Sequence, residues 1–274
     1  MRFAYYIKKD SLCGDPRIGA MLERLRSGGV MVYRADSADG ILPGTDGLLS
    51  LGGDGTFLMG AKIAVQADIP ILGVNFGRLG FLSETKPEEL PQAVLRGELR
   101  VEERELLQVA AEGRETAFWP YALNETSISR DGASMLGIDV EIDGAPLPTY
   151  WADGLLVATS SGSTAYSLSV GGPICMPDSK VFIVAPISPH NLNVRPLVVP
   201  QTARIAISFR SREDRAVFSM DNRSVRIPSD TRLIVSEAPL RLKRMSTGGS
   251  TFINALRTRL LWGEDVRNGD EARQ

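Results

Sequence analysis

Residues 47–74 read GLLSLGGDGTFLMGAKIAVQADIPILGV, and this stretch decides the fold of the first third of the chain. Residues 47–51 are an apolar run of strand length, Gly52-Gly53-Asp54-Gly55 has turn chemistry, residues 56–66 have helical spacing, and residues 69–74 form a second apolar run. The same succession occurs upstream: a buried strand at 3–7, a helix at 16–26 with Ile18, Met21, Leu22 and Leu25 on one face, and a strand at 30–33. Consecutive strand–helix–strand units imply a parallel sheet with crossover helices, so residues 1–98 are expected to form a Rossmann-like α/β domain.

From about residue 100 the period changes. Leu136, Ile138, Val140 and Ile142 alternate with Gly137, Asp139 and Glu141, and Asp143-Gly144 supplies a hairpin turn. Further short strands are expected at 155–159, 182–185, 204–209, 216–220, 224–227, 232–236 and 240–243. Residues 99–249 are therefore expected to form a β-rich, sandwich-like domain. Phe252, Leu256, Leu260 and Leu261 suggest a short amphipathic helix, and residues 250–274 are expected to complete the first domain, with a frayed polar end from Gly263.

Composition narrows the function. The chain has 274 residues, 43% of them apolar and 23% charged, which is enough apolar surface for one large or two ordinary cores. With 31 Lys plus Arg against 33 Asp plus Glu, the formal charge of -2 gives no general attraction for nucleic acid or anionic membranes. No apolar run reaches the roughly 20 residues that cross a bilayer. Lys8 and Lys9 also end the first apolar stretch early, so a cytoplasmic protein is expected. Cys13 and Cys175 lack metal-type spacing, His190 is the single histidine, and G-x-S-x-G does not occur, so zinc and serine hydrolase chemistry fall away.

Four segments offer chemistry. In Gly52-Gly53-Asp54-Gly55-Thr56, glycines let backbone approach a bulky anion at a helix N-terminus. Asp54 beside phosphate needs a further role: holding Mg²⁺, capping the helix, or taking a proton from a hydroxyl. The bland alternative is a tight turn capped by Asp54. The segment does not fit the P-loop motif, since no Gly-Lys pair occurs. In Gly73-Val74-Asn75-Phe76-Gly77-Arg78-Leu79-Gly80-Phe81-Leu82, Asn75 and Arg78 are assigned to ordering the loop rather than to phosphate. Asn124-Glu125 offers the donors and acceptors that bind a ribose diol or an adenine edge, but taken alone is expected to be a strand end with two solvated polar groups. Around Asp153-Gly154 and through residues 159–173, small hydroxyl residues and glycines leave room for a flat ligand beside Tyr166, which favours a site over a linker.

Together these motifs resemble the NAD kinase family. The resemblance rests on Gly52-Gly53-Asp54-Gly55-Thr56, Gly73-Val74-Asn75, Leu79-Gly80-Phe81-Leu82, Asn124-Glu125, Asp153-Gly154, Gly162-Ser163-Thr164-Ala165-Tyr166 with Gly171-Gly172-Pro173, Pro189-His190 and Arg195-Pro196, with weaker echoes at Met220-Asp221-Asn222 and Trp262-Gly263. The diglycine-Asp-Gly-Thr element alone is shared with diacylglycerol, sphingosine and phosphofructokinase families. The Gly-Ser-Thr-Ala-Tyr element followed by Gly-Gly-Pro makes the resemblance specific.

The resemblance implies transfer of the γ-phosphoryl group of ATP, or of polyphosphate, to the 2′-hydroxyl of the adenosine ribose of NAD, giving NADP, with a divalent metal, normally Mg²⁺. It implies Asp54 as proton acceptor with Gly55 beside it in the NAD site, and Asn124 and Glu125 as an NAD-binding pair. Asp153 is implied at the nicotinamide side, and Thr164, Ala165, Tyr166, Ser167, Leu168 and Ser169 as the strip holding the dinucleotide. No metal ligand is identified. His190 and Arg195 are expected to be structural, and a homodimer or homotetramer is implied. Three departures stand out: Trp151 replaces a common Arg or His, Ser160-Ser161 replaces a proline-containing pair, and Asp221-Asn222-Arg223 replaces Asp-Gly-Gln. The alternatives are a lipid or sugar kinase of the wider superfamily and a non-catalytic NAD-binding sensor.

Overall fold

A computed structural model describes residues 1–8, 12–77, 80–113, 115, 119–248 and 252–261. The expectations for Arg78, Trp262-Gly263 and the frayed end from Gly263 lie outside these residues. The chain divides into two compact units: residues 1–102 with the segment from Arg244 onward, and residues 103–243.

In the first unit the order is β1 (Arg2–Ile7), α1 (Pro16–Ser27), β2 (Met31–Arg34), β3 (Gly47–Leu51), α2 (Asp54–Gln66), β4 (Ile71–Val74) and α3 (Leu90–Leu95). Helix α1 starts where Asp15 accepts the Arg17 N–H at 2.9 Å, with Pro16 in its first turn, and it buries Ile18, Met21, Leu22 and Leu25. The strands are parallel in the order β4-β3-β1-β2, with Ala4 opposite Leu48 and Leu49 opposite Leu72. All five residues of β3 are buried, as a strand covered on both faces requires. Its core joins Phe3, Met21, Leu25, Leu49, Leu72, Leu90 and Met245.

The second unit continues with β5 (Leu99–Ala111), β6 (Tyr121–Ala122), β7 (Glu125–Arg130), β8 (Leu136–Ile142), β9 (Ala145–Pro146), β10 (Tyr150–Thr159), α4 (Tyr166–Ser169), β11 (Val181–Pro189), β12 (Leu197–Pro200), β13 (Ile205–Arg210), β14 (Arg215–Met220), β15 (Arg223–Pro228) and β16 (Leu233–Thr247). These strands pair antiparallel in the order β15-β14-β7-β10-β8-β13-β16, while β11 pairs with both β10 and β12. Asp143 and Gly144 take φ of 50° and 81° between β8 and β9, the conformation of a two-residue hairpin. Strand β10 shows why alternation is lost at its centre. Leu155 and Val157 enter the main core with Ile128 and Phe218, whereas Leu156 and Ala158 enter a second cluster with Ile183 and Ala185.

Two expected strands, 232–236 and 240–243, are one strand, because Pro239 does not break β16. Strands β5 and β16 both run across the division between the units, which falls at 102/103 and 243/244. Arg244 and Met245 of β16 lie parallel to Ile71 and Leu72 of β4 in the first unit, and α5 (Phe252–Leu260) follows.

Candidate active site

In the first unit, Gly52 follows β3 with φ 154°, and a Cβ there would run into the Thr56 side chain. Helix α2 then begins at Asp54, with Gly53 at its N-cap and no side-chain cap. Capping is therefore not what Asp54 does. Its carboxylate instead crosses to the loop after β4, where Oδ2 accepts the Phe81 N–H at 2.7 Å and Oδ1 accepts those of Leu82 and Ser83 at 3.1 and 2.8 Å. A carboxylate offers about four lone-pair directions. Three are occupied, and the fourth belongs to Oδ2.

The loop is shaped for this contact. A Cβ on Gly80 would be driven into the Asp54 carboxylate, and one on Gly73 into the Ser83 backbone. Asn75 closes the loop by donating Nδ2–H to the Ser83 carbonyl at 2.9 Å and accepting the Gly77 N–H at 2.7 Å, the ordering role expected for it.

Two buried arginines lie close enough to Asp54 for its charge to act on them. Arg244 pairs with Glu84 and, at 2.5 Å, with Glu102, while Arg259 lies 3.6 Å from Glu84. Burial lowers the Arg244 pKa to about 10, aided by the Arg259 charge and opposed by Asp54. Burial also lowers that of Arg259, again opposed by Asp54. The Arg259 guanidinium sits 5.0 Å from the Phe81 ring, and the Phe81 and Phe252 ring centroids are 6.1 Å apart. Sequence reading missed this group, since Glu84, Arg244 and Arg259 carry no motif.

In the second unit the structure brings together Asn124, Glu125 and the 159–169 strip. Thr159 donates its N–H to the Asn124 carbonyl at 2.9 Å and its hydroxyl to the Leu123 carbonyl at 2.5 Å. Gly162 passes so close that a Cβ would meet the Asn124 backbone. The strip is a short 3₁₀ turn followed by α4, and the Tyr166 N–H donates to the Glu125 carboxylate. Tyr166 is exposed and Ser167 is buried. Asn124 Oδ1, Glu125 Oε2 and Ser167 Oγ are buried without hydrogen-bond partners. The solvated strand end is not what forms. Ser160 and Ser163 instead fold the strip onto the Pro177 and Cys175 carbonyls at 3.1 and 3.2 Å, so the turn is held without the proline.

Asp221 organises this group. At φ 49° in the β14–β15 turn, its carboxylate accepts the N–H groups of Leu123, Asn124 and Glu125 at 3.0, 2.8 and 3.3 Å. Burial raises the Asp221 pKa despite those bonds and Arg223. Burial and the Asp221 charge together push Glu125 up to about 8, against the Tyr166 N–H. Arg223 binds the Trp119 and Tyr121 carbonyls at 2.7 and 2.6 Å, so it braces the turn.

Asp153 does not join the cluster. On β10 it lies five residues from Ala158, the partner of Glu125, or about 17 Å along the strand. It pairs with Arg130 at 2.8 Å. Trp151 packs over Gly137 with the Arg210 guanidinium 5.7 Å from its ring. Arg195 bonds the carbonyls of its own loop, and His190 donates its N–H to the Trp151 carbonyl. Among the described residues no group of three or more His, Cys, Asp or Glu is placed to hold a metal ion.

Comparison with known proteins places the chain in a family. Residues 39–97 match the family described as ATP-NAD kinase N-terminal domain, and residues 123–246 match ATP-NAD kinase C-terminal domain. An NAD kinase of Bacteroides fragilis is 44% identical over 226 residues, covering 81% of this chain and 78% of that protein. One from Flavobacterium psychrophilum is 40% identical over 227 residues, covering 81% and 77%. Among solved structures, yeast NADH kinase complexed with NADH matches with a TM-score of 0.82 and 25% identity, covering 97% of this chain and 89% of that one. The Archaeoglobus fulgidus NAD kinase in complex with ATP matches with a TM-score of 0.72 and 28% identity, covering 90% and 94%. By the length and identity of these matches, this chain belongs to the NAD kinase family.

Proposed function

We propose that the chain transfers the γ-phosphoryl group of ATP to the 2′-hydroxyl of the adenosine ribose of NAD, with Asp54 as proton acceptor. The observation that carries this reading is the Asp54 carboxylate, fixed at the start of α2 by three N–H groups with one lone pair left on Oδ2. In the step, the 2′-oxygen bonds to the γ-phosphorus, its proton passes to Oδ2, and the bond to the β–γ bridging oxygen breaks. ADP leaves with that electron pair. Such a transfer depends on positioning and on offsetting charge more than on covalent chemistry of the protein.

Asn124, Glu125 and the 164–169 strip bind the NAD adenosine in this reading, supported by the unpaired Asn124, Glu125 and Ser167 oxygens. Tyr166 supplies an exposed aromatic face. Asp153, about 17 Å away along β10, serves the other end of the dinucleotide. The ATP in the similar Archaeoglobus structure supports ATP over polyphosphate as donor. Magnesium enters as part of the Mg–ATP substrate, since Mg²⁺ favours phosphate oxygens and water. Cytoplasmic action as a homodimer or homotetramer belongs to the same reading, on the strength of the family.

Purified protein is given NAD or NADH with Mg–ATP, polyphosphate or neither, and NADP or NADPH is measured. The reading requires NADP from NAD with Mg–ATP. NAD that binds without turnover would favour a non-catalytic sensor, and absence of both a different phosphoryl acceptor.

A further inference from the structure

Two buried arginines, Arg244 and Arg259, feel the Asp54 charge. The side chains of Arg244 and Arg259 are 7% and 8% exposed, yet Arg244 Nε and Arg259 Nε and Nη1 have no hydrogen-bond partner. A guanidinium present only to hold the fold satisfies its donors when it is buried. Glu84 is shared by both cations, and Glu102, 42% exposed, also pairs with Arg244. The unused N–H groups belong to the two cations on which the Asp54 charge acts. Phe81 ties them to the site, since its ring faces Arg259 and its N–H holds Asp54 Oδ2.

We propose that Arg244 and Arg259 form a guanidinium pair that binds the oxygens of the phosphoryl group as it transfers beside Asp54. The inference rests on the kinase reading above and deepens it. Planar guanidinium donors suit phosphoryl oxygens, and burial strengthens the interaction. The timing also favours the transition state. Before transfer, Asp54 is a counter-charge to both cations. When the hydroxyl proton reaches Oδ2 that counter-charge is removed, just as negative charge spreads over the phosphoryl oxygens, so the attraction is strongest at transfer.

The test uses the full-length enzyme with NAD and Mg–ATP, comparing wild type with Arg259→Met, Arg259→Ala, Arg259→Lys and Arg244→Met. Arg257→Met, altering an exposed residue of the same helix, is the control. The expected result is a kcat lowered about 10²- to 10⁴-fold in Arg259→Met, with the Kd for NAD within about threefold of wild type. Arg259→Lys recovers part of the loss, and low millimolar guanidinium restores part of it to Arg259→Ala.

A kcat in Arg259→Met within about threefold of wild type overturns the proposal. So does a loss that tracks weakened NAD binding and a lowered Tm, with no guanidinium rescue, because that is the behaviour of a brace. Arg259 carries the decision if Arg244→Met fails to fold. Wild-type enzyme that makes no NADP overturns the kinase reading and this inference together, whereas an active wild type with an active Arg259→Met overturns only the inference.

Discussion

Replacing Glu125 with Gln should change how stability depends on pH. The Glu125 carboxyl is pushed from 4.5 to about 8 by burial first and the Asp221 charge second, with only the Tyr166 N–H opposing. Between those values the native state holds a proton that the unfolded chain has released. The contribution is therefore fully present below about pH 4.5 and is lost as pH rises towards about 8. At about 1.4 kcal/mol per pKa unit, the full shift corresponds to about 5 kcal/mol as an upper limit. Glu125 keeps some solvent contact, and screening reduces the expected effect to about 2–3 kcal/mol. Gln cannot ionise, so Glu125→Gln should match wild type near pH 5 and exceed its stability by that amount near pH 8. Urea unfolding followed by tryptophan fluorescence is the assay, because Trp119 and Trp151 both report on the second unit. Asp221, raised in the same direction, is common to both proteins and drops out of the difference to first order. Stability curves that stay parallel within about 0.5 kcal/mol from pH 5 to 8 would refute the reasoning.

Other substitutions probe separate contacts. Gly80→Ala forces a methyl group against the Asp54 carboxylate, so kcat should fall about 10²-fold with little change in Tm, checked by steady-state kinetics beside calorimetry. Asp221→Asn exchanges a charged acceptor of three N–H bonds for a neutral one; a loss of about 1–3 kcal/mol in denaturant unfolding and a raised KM for NAD are expected. Gly162→Ala drives a Cβ into the Asn124 backbone and should weaken NAD binding at least tenfold by titration calorimetry, while a Kd near wild type would detach the strip from the dinucleotide.

The parallel first unit was legible because its strands are short apolar runs separated by glycine turns, and its helices have one apolar face. The β-rich second unit was legible where alternation is clean, as in β8. It was not in β5, whose sequence LRVEERELLQVAA scatters charge along a strand, or in β16, where Pro239 marks a break that does not form. The motif residues were readable individually, but their partners were not. Asp54 meets a loop 27–29 residues away, Asp221 holds backbone 96–98 residues away, and Arg244 reaches Glu84 across 160. Contacts at such separations leave no period in a sequence. Asp221 was visible only as a faint family echo, and Arg259 only as a position on an amphipathic helix.

Asp54 is the residue on which the proposed phosphoryl transfer most directly depends. NADP formation from NAD and Mg–ATP should be compared between wild type and Asp54→Asn, with NAD binding measured on both and the phosphorylated position fixed by phosphorus NMR. The expected result is wild-type product carrying phosphate on the 2′-oxygen, and an Asp54→Asn variant that binds NAD comparably but turns over at least about 10²-fold more slowly. An Asp54→Asn enzyme working at the wild-type rate, or phosphate on any other hydroxyl, would contradict it.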